Sequence, residues 1–233
     1  MPSTPIANIR KDNRMKIRHF IAAALLAVSG SIACASDFGE LYYQRASLFD
    51  ALGVDSTSIV MLGNSLTHGC EWHELFNNHK ILNRGINGDI AEGISLRLDG
   101  ILRGHPEKIF LLCGVNDVSH NLSADSIAEA TEQIVRRIIS ESPRTKVYVQ
   151  SLLPINNSFN RYKRLIGKEQ VIRDINKLNA AMANRYGITW IDLYDSFADN
   201  DGNLRSDLTN DGLHLLAPGY MIWKEILLPY INE

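Results

Sequence analysis

The chain reads as a three-layer α/β/α sandwich on a mostly parallel five-stranded sheet, and three observations carry that reading. Short apolar runs rich in β-branched residues alternate with longer stretches whose apolar residues recur every three to four positions, the signature of strands joined by crossover helices. The β-branched and apolar content of the short runs suits strands buried on both faces. No repeat, low-complexity tract or linker interrupts the chain after its first 35 residues, so a single domain is expected.

Taken in order, Ser58–Gly63 is the first predicted strand and Lys80–Arg84 a weaker second. Lys108–Cys113 is a strong third, Lys146–Leu152 a fourth and Ile188–Leu193 a fifth. Between them, Ile90–Leu102, Ser123–Ser140 and Glu169–Tyr186 carry helical spacing, with Ile127, Ile134 and Ile138 on one stripe and Ile172, Ile175, Leu178 and Met182 on another. Ser123 stands as an N-cap ahead of Ser126, and Gly187 marks a C-terminal stop. A last helix over Pro218–Tyr230 closes the fold.

The first 35 residues read as a leader. Met15–His19 is basic, Phe20–Val28 is apolar, and Ala33-Cys34-Ala35 fits a small-x-small cleavage pattern that leaves Ser36 first. Residues Met1–Arg14 then precede the true start. The apolar stretch is shorter than the roughly 20 residues of a bilayer span, so no transmembrane segment is expected and the destination is periplasmic or secreted. Ser31-Ile32-Ala33-Cys34 is an imperfect lipobox, which keeps open a lipid anchor at Cys34 and a membrane-anchored lipoprotein.

Lys plus Arg total 24 against 26 Asp plus Glu, a formal charge of −2, and no basic run tracks a phosphate backbone. Nucleic acid is therefore not an expected partner. Removing the leader brings the remainder to about −6. Cys34, Cys70 and Cys113 are too few for a disulfide scaffold and lack CxxC spacing. Export permits a Cys70–Cys113 bridge, but two small buried side chains are the favoured reading.

Ligands of such folds bind beyond the carboxyl ends of the strands, and residues of one chemistry gather there. A serine hydroxyl becomes a nucleophile only with a base, a group that orients the base, and donors for the developing oxyanion. Ser65 follows the first strand in Gly63-Asn64-Ser65-Leu66-Thr67-His68-Gly69. Asp211-Gly212-Leu213-His214 places a carboxylate three residues before an imidazole, with Gly212 freeing the turn. Asn116, in Gly114-Val115-Asn116-Asp117, and Gly88, in Asn87-Gly88-Asp89, follow other strands. Their side-chain amide and backbone N–H, with the Ser65 N–H, form the expected oxyanion hole.

These four blocks, in this order, resemble the SGNH (GDSL-like) hydrolase family: Gly63-Asn64-Ser65-Leu66, Gly88, Gly114-Val115-Asn116-Asp117 and Asp211-x-x-His214. The resemblance spans about Ser58 to Tyr220. It implies a flavodoxin-like fold and metal-free hydrolysis of esters or thioesters, with acylated sugars, lipids and aryl esters among substrates. Where the family usually has Asp before the serine, this chain has Asn64, expected to make similar local hydrogen bonds.

Each motif alone has an ordinary reading, since a Ser after a strand often caps a helix and GxND can be a plain turn. Asp89 and Asp117 are expected in turn or cap roles. His68 is a rival base but lacks an evident carboxylate partner; His73, His79, His105 and His120 read as solvated, and His19 leaves with the leader. No histidine spacing suits a helical metal pair, so no metal and no cofactor are expected. Thr67 breaks the Gly-x-Ser-x-Gly pattern of α/β-hydrolases, and no Gly-x-Gly-x-x-Gly follows a strand.

The expected activity is that of a serine carboxylic ester hydrolase forming an acyl-serine intermediate. Its partner is a small-molecule or glycan ester, with acetyl groups on a carbohydrate leading. Export, the lack of a long apolar lid, and the polar segment Asn156–Lys163 support the sugar; Trp72, Arg161 and Tyr162 are candidate substrate contacts. A lysophospholipase or thioesterase for longer chains is the alternative, and a non-catalytic carbohydrate-binding protein a third. Oligomeric state is not legible.

Overall fold

The computed structural model describes residues 38–233. The expected leader, its expected cleavage site and Cys34 lie outside the described residues. Five strands form where the sequence places them: β1 (Ile59–Gly63), β2 (Ile81–Gly85), β3 (Lys108–Leu112), β4 (Lys146–Gln150) and β5 (Thr189–Ile191). They form one wholly parallel sheet of order β2-β1-β3-β4-β5. Ile59 stands opposite both Ile81 and Lys108, which fixes the central register.

Side chains alternate across the sheet as strand geometry demands, and each face is apolar. Ile59, Met61, Phe110 and Leu112 join Trp72, Trp223 and Leu227 on one side. On the other, Val60, Leu62, Ile109 and Leu111 pack with Ile94, Leu98, Ile134, Ile138 and Met182. Each fully buried aliphatic or aromatic side chain contributes roughly 1.5–3 kcal/mol, so the two clusters hold the helical layers on either face.

The helices are α1 (Glu40–Leu52), α2 (Ser65–His68), α3 (Trp72–Leu75), α4 (Ala91–Leu96), α5 (Leu98–Leu102), α6 (Val115–Ser119), α7 (Ala124–Glu141), α8 (Glu169–Tyr186), α9 (Tyr194–Phe197) and α10 (Ala217–Asn232). The expected caps form: Ser123 Oγ accepts the Ser126 N–H at 3.2 Å, and Gly187 ends α8 at φ 62°. The helix expected over Ile90–Leu102 is two, α4 and α5, parted at Arg97. Arg97 turns its side chain inward, where Nε donates to Asp89 and Nη2 to the Gly63 carbonyl. Helix α10 is fastened to β3 by a buried lysine, Lys108, whose Nζ donates to the carbonyls of Tyr230 (3.0 Å), Ile231 (2.9 Å) and Glu233 (2.9 Å). These include carbonyls that a helix end leaves without intrahelical donors.

Cys70 and Cys113 are both free and sit in clusters on opposite faces of the sheet. Burial pushes each thiol up to about 12. Among the described residues no helix is long and apolar enough to cross a membrane. The chain reaches β2 and β3 on opposite sides of β1, so the crevice of such a sheet opens at the carboxyl ends of β1 and β3.

Candidate active site

Ser65 stands at that crevice because β1 ends one residue before a helix cap. Asn64 caps α2, its Oδ1 accepting the Leu66 N–H at 3.1 Å, which makes Ser65 the first helical residue. A first-turn N–H has no partner inside its helix, so the Ser65 N–H is available to a ligand. The short helix is locked from below. Asn83 Nδ2 donates to the carbonyls of Thr67, His68 and Cys70 at 2.9–3.1 Å, and Tyr220 Oη donates to Leu66 O at 3.0 Å. Gly85 is required for this fit, since a Cβ there would lie 2.2 Å from His68 N.

The Asp-x-x-His turn approaches from the far end of the chain. Asp211 Oδ1 accepts the N–H groups of Leu213 (2.9 Å) and His214 (2.8 Å), while Thr209 Oγ1 accepts from Gly212 N at 3.0 Å. Gly212 sits at φ +87°, and a Cβ there would meet Asn156 O at 2.2 Å, so only glycine closes the turn. His214 Nδ1 then lies 2.8 Å from Asp211 Oδ2, and Nε2 lies 2.9 Å from Ser65 Oγ. The hydrogen bonds fix the tautomer: Nδ1–H donates to the carboxylate, leaving Nε2 free to accept the serine proton.

Burial works against charge on Asp211. Hydrogen bonds from the His214 ring and N–H, the Leu213 N–H and the Tyr162 hydroxyl reverse this and hold the carboxyl well below the ordinary range. Tyr162 Oη donates to Asp211 Oδ2 at 2.8 Å and stands 2.9 Å from His214 Nδ1. Burial and that bond push the phenol up to about 12, so it remains a donor at neutral pH. The sequence marks Tyr162 only as a substrate contact; its place on the carboxylate comes from a contact 49 residues away that no local spacing encodes.

The expected oxyanion donors border the same crevice. Gly88, at φ +78°, and Asn116 line a cavity of about 730 Å³ together with Ser65 and His214. One Asn116 Nδ2 proton goes to Asp89 O at 2.8 Å, which aims the amide and leaves the second proton to a ligand. Asp89 closes a turn, its N–H donating to Ile86 O at 3.2 Å. Its side chain does more than the expected turn role, forming a buried ion pair with Arg97 at 2.9 Å. Burial raises the Asp89 carboxyl further than Arg97 lowers it. Arg97 also donates to Gly63 O at 3.1 Å, so the pair ties the Gly88 loop to the end of β1. Asp117 caps as expected, but for a distant helix: its carboxylate accepts the Ala91 N–H of α4 at 3.2 and 3.3 Å.

Arg161 and Tyr162, both candidate substrate contacts, line the cavity. Trp72 does not, and its assignment as a substrate contact is corrected. Its side chain is 0% exposed, stacked on Phe76 and edge-on to Tyr220 and Trp223, with Nε1 donating to Thr67 O at 2.8 Å. An indole this apolar gains more from the core than from the rim. His68 reaches the cavity, but its Nδ1 contacts Gly85 O at 3.1 Å, and among the described residues it is His214 that meets Ser65 Oγ. Among the described residues no cluster of three or more His, Cys, Asp or Glu is placed to hold a metal ion.

A parallel three-layer sheet carrying a Ser–His–Asp line at its crevice is the arrangement of an acyl-transfer hydrolase. The chain belongs to the GDSL-like Lipase/Acylhydrolase family, whose model matches residues 61–222. Platelet-activating factor acetylhydrolase IB subunit alpha1 from Rattus norvegicus is 30% identical over 169 residues, 70% of this chain and 69% of its own. The crystal structure of a GDSL-like lipase from Bacteroides thetaiotaomicron superposes with a TM-score of 0.69 at 23% identity, covering 82% of this chain and 97% of that one. An acetyl xylan esterase shares the fold with a TM-score of 0.60 at 20% identity, over 75% of this chain and 99% of its own.

Proposed function

We propose that this chain is an exported serine esterase that removes acetyl or other short acyl groups from a carbohydrate through an acyl-serine intermediate. The observation that carries the mechanism is the continuous line Ser65 Oγ–His214 Nε2 (2.9 Å) and His214 Nδ1–Asp211 Oδ2 (2.8 Å). Ser65 Oγ attacks the ester carbonyl while Nε2 takes its proton. Asp211 steadies the imidazolium, and Ser65 N–H, Gly88 N–H and Asn116 Nδ2 stabilise the oxyanion. His214 returns the proton to the leaving alcohol, and a water then repeats the sequence to free the acid. Each proton transfer contributes about 10²- to 10⁴-fold. The cycle uses no metal or cofactor.

The acetyl preference is supported by the 30%-identical relative, which is named an acetylhydrolase. The sugar rests on the polar 156–163 segment and on a cavity of about 730 Å³, ample for a sugar ring beside an acetyl group. The basic-then-apolar leader supports a periplasmic or secreted site of action, with lipidation at Cys34 as the other route. One feature favours longer acyl chains instead, as in a lysophospholipase or thioesterase: Leu213, Leu215 and Tyr220 give the cavity an apolar wall. A chain-length series of p-nitrophenyl esters decides. Rates falling steeply beyond butyrate support the short-acyl reading, and rates rising with chain length overturn it.

A further inference from the structure

The catalytic cavity is bordered on one side by three cations, Arg161, Lys163 and Arg164, all exposed and all on its lining. No hydrogen bond or ion pair engages these three side chains among the described residues, whereas Arg97, Arg103, Arg137, Arg185 and Arg205 each hold a carboxylate. Among the described residues the lining contains no Asp or Glu, although the chain as a whole carries more acidic than basic residues. Such a one-signed cleft concentrates anions. The segment is also anchored within the cluster and just after it. Tyr162 Oη is bonded to Asp211, and Leu165 is 3% exposed in a cluster with Ile155, Ile172 and Leu213. The three charges are therefore presented by a fixed rim.

Their position relative to the chemistry says which part of the substrate they meet. His214 Nε2 must hand its proton to the leaving oxygen, so the alcohol portion of the ester lies on the His214 side of Ser65. The cationic rim is joined to that same side through Tyr162, which touches both Asp211 and His214. The oxyanion donors Gly88 and Asn116 belong instead to the loop after β2 and to α6 just after β3.

We propose that the ester this site hydrolyses carries an anionic group, carboxylate or phosphate, on its alcohol portion, and that Arg161, Lys163 and Arg164 form the subsite for it. The proposal rests on the serine-esterase reading and narrows its substrate to acidic acyl acceptors, such as sugars bearing a carboxylate. Hydrolysis is unchanged in balance: water adds across the acyl–oxygen bond, and the anion is a recognition handle only.

The test compares three acetyl esters, methyl 4-acetoxybenzoate (neutral), 4-acetoxybenzoate (carboxylate) and 4-acetoxyphenyl phosphate, on the wild-type chain and on Lys163→Gln/Arg164→Gln. Intrinsic reactivity cancels in the variant-to-wild-type ratio. The expected result is a drop of about tenfold in kcat/KM for an anionic ester relative to the neutral one, carried by KM and shrinking as NaCl rises. Whichever anion shows the larger drop identifies the handle. Equal ratios for all three esters, at low salt and with the variant folded by circular dichroism, overturn the subsite. Failure of the esterase reading looks different: no ester is cleaved faster by the wild type than by Ser65→Ala. In that case binding of 4-hydroxybenzoate and 4-hydroxyphenyl phosphate to wild type and variant by calorimetry still decides, and equal affinity or none overturns the subsite.

Discussion

Replacing Asp211 by Asn probes the catalytic line without removing an atom of bulk. The carboxylate accepts five contacts: N–H groups of Leu213 and His214 on Oδ1, the Thr209 hydroxyl on Oδ1, and the His214 ring and Tyr162 hydroxyl on Oδ2. An asparagine oxygen at Oδ1 keeps the two backbone bonds, so the turn survives. The amide NH₂ then faces His214 Nδ1 and donates to it, which drives the proton to Nε2 and leaves nothing to accept from Ser65. Loss of the correct tautomer costs up to about 10⁴-fold in a serine triad. Here Tyr162 Oη, 2.9 Å from Nδ1, can accept an Nδ1–H and preserve part of the productive tautomer. The expected loss in kcat is therefore about 10³-fold, roughly 4 kcal/mol of barrier, and less than that of His214→Ala. Adding Tyr162→Phe should deepen it by about tenfold more. Stability supplies a second readout. The folded Asp211 carboxyl titrates below its unfolded value near ~3.9, so it stabilises the fold above that pH and the contribution is lost as pH falls toward the folded value. The Tm gap between wild type and Asp211→Asn should narrow on acidification. Burst-free steady-state rates on p-nitrophenyl acetate measure the first effect, and a kcat within tenfold of wild type refutes the tautomer argument.

Asn116→Ala should lower kcat about 10²- to 10³-fold with little change in KM, as for loss of one oxyanion donor; an effect confined to KM would make it a substrate contact. Trp72→Ala should cost about 3–5 kcal/mol of stability in denaturant unfolding, and a fully stable variant with raised KM would return Trp72 to the binding site. Burial pushes the Asp117 carboxyl up to about 6, above its unfolded value near ~3.9. Its favourable contribution is thus fully present below that unfolded value and lost as pH rises through about 6. Asp117→Asn keeps an acceptor for Ala91 N–H, so its Tm relative to wild type should improve between pH 4.5 and 8; a constant difference refutes the assignment.

Strands β1, β3 and β4 were legible because burial on both faces leaves an apolar run, whereas β2, with Asn83 and Arg84 and partial burial, gave only a weak signal and β5 is only partly buried. Helices α7 and α8 announced themselves by a single apolar stripe, whereas α1 did not. Only Tyr42 and Phe49 of α1 are buried, while Leu41, Tyr43, Leu48 and Leu52 face outward, so its pattern has no face to read. The break at Arg97 depends on a buried pairing with Asp89, which periodicity cannot foresee. In the site, Ser65, Asp211 and His214 stood out because acyl transfer demands those residue types beside glycine turns. Trp72 misled because proximity to Ser65 in sequence is not proximity at the rim: packing on Trp223, 151 positions away, draws it inward. Tyr162 lines the cavity, but its bond to Asp211 was not legible, since it exists only once the chain closes.

The most direct measurement is hydrolysis of p-nitrophenyl acetate by the chain from Ser36 to Glu233 beside its Ser65→Ala variant, both shown folded by circular dichroism. Turnover by the wild type that vanishes in Ser65→Ala is the predicted result. Equal rates in the two proteins would contradict the serine mechanism and point to a pocket that binds without catalysing.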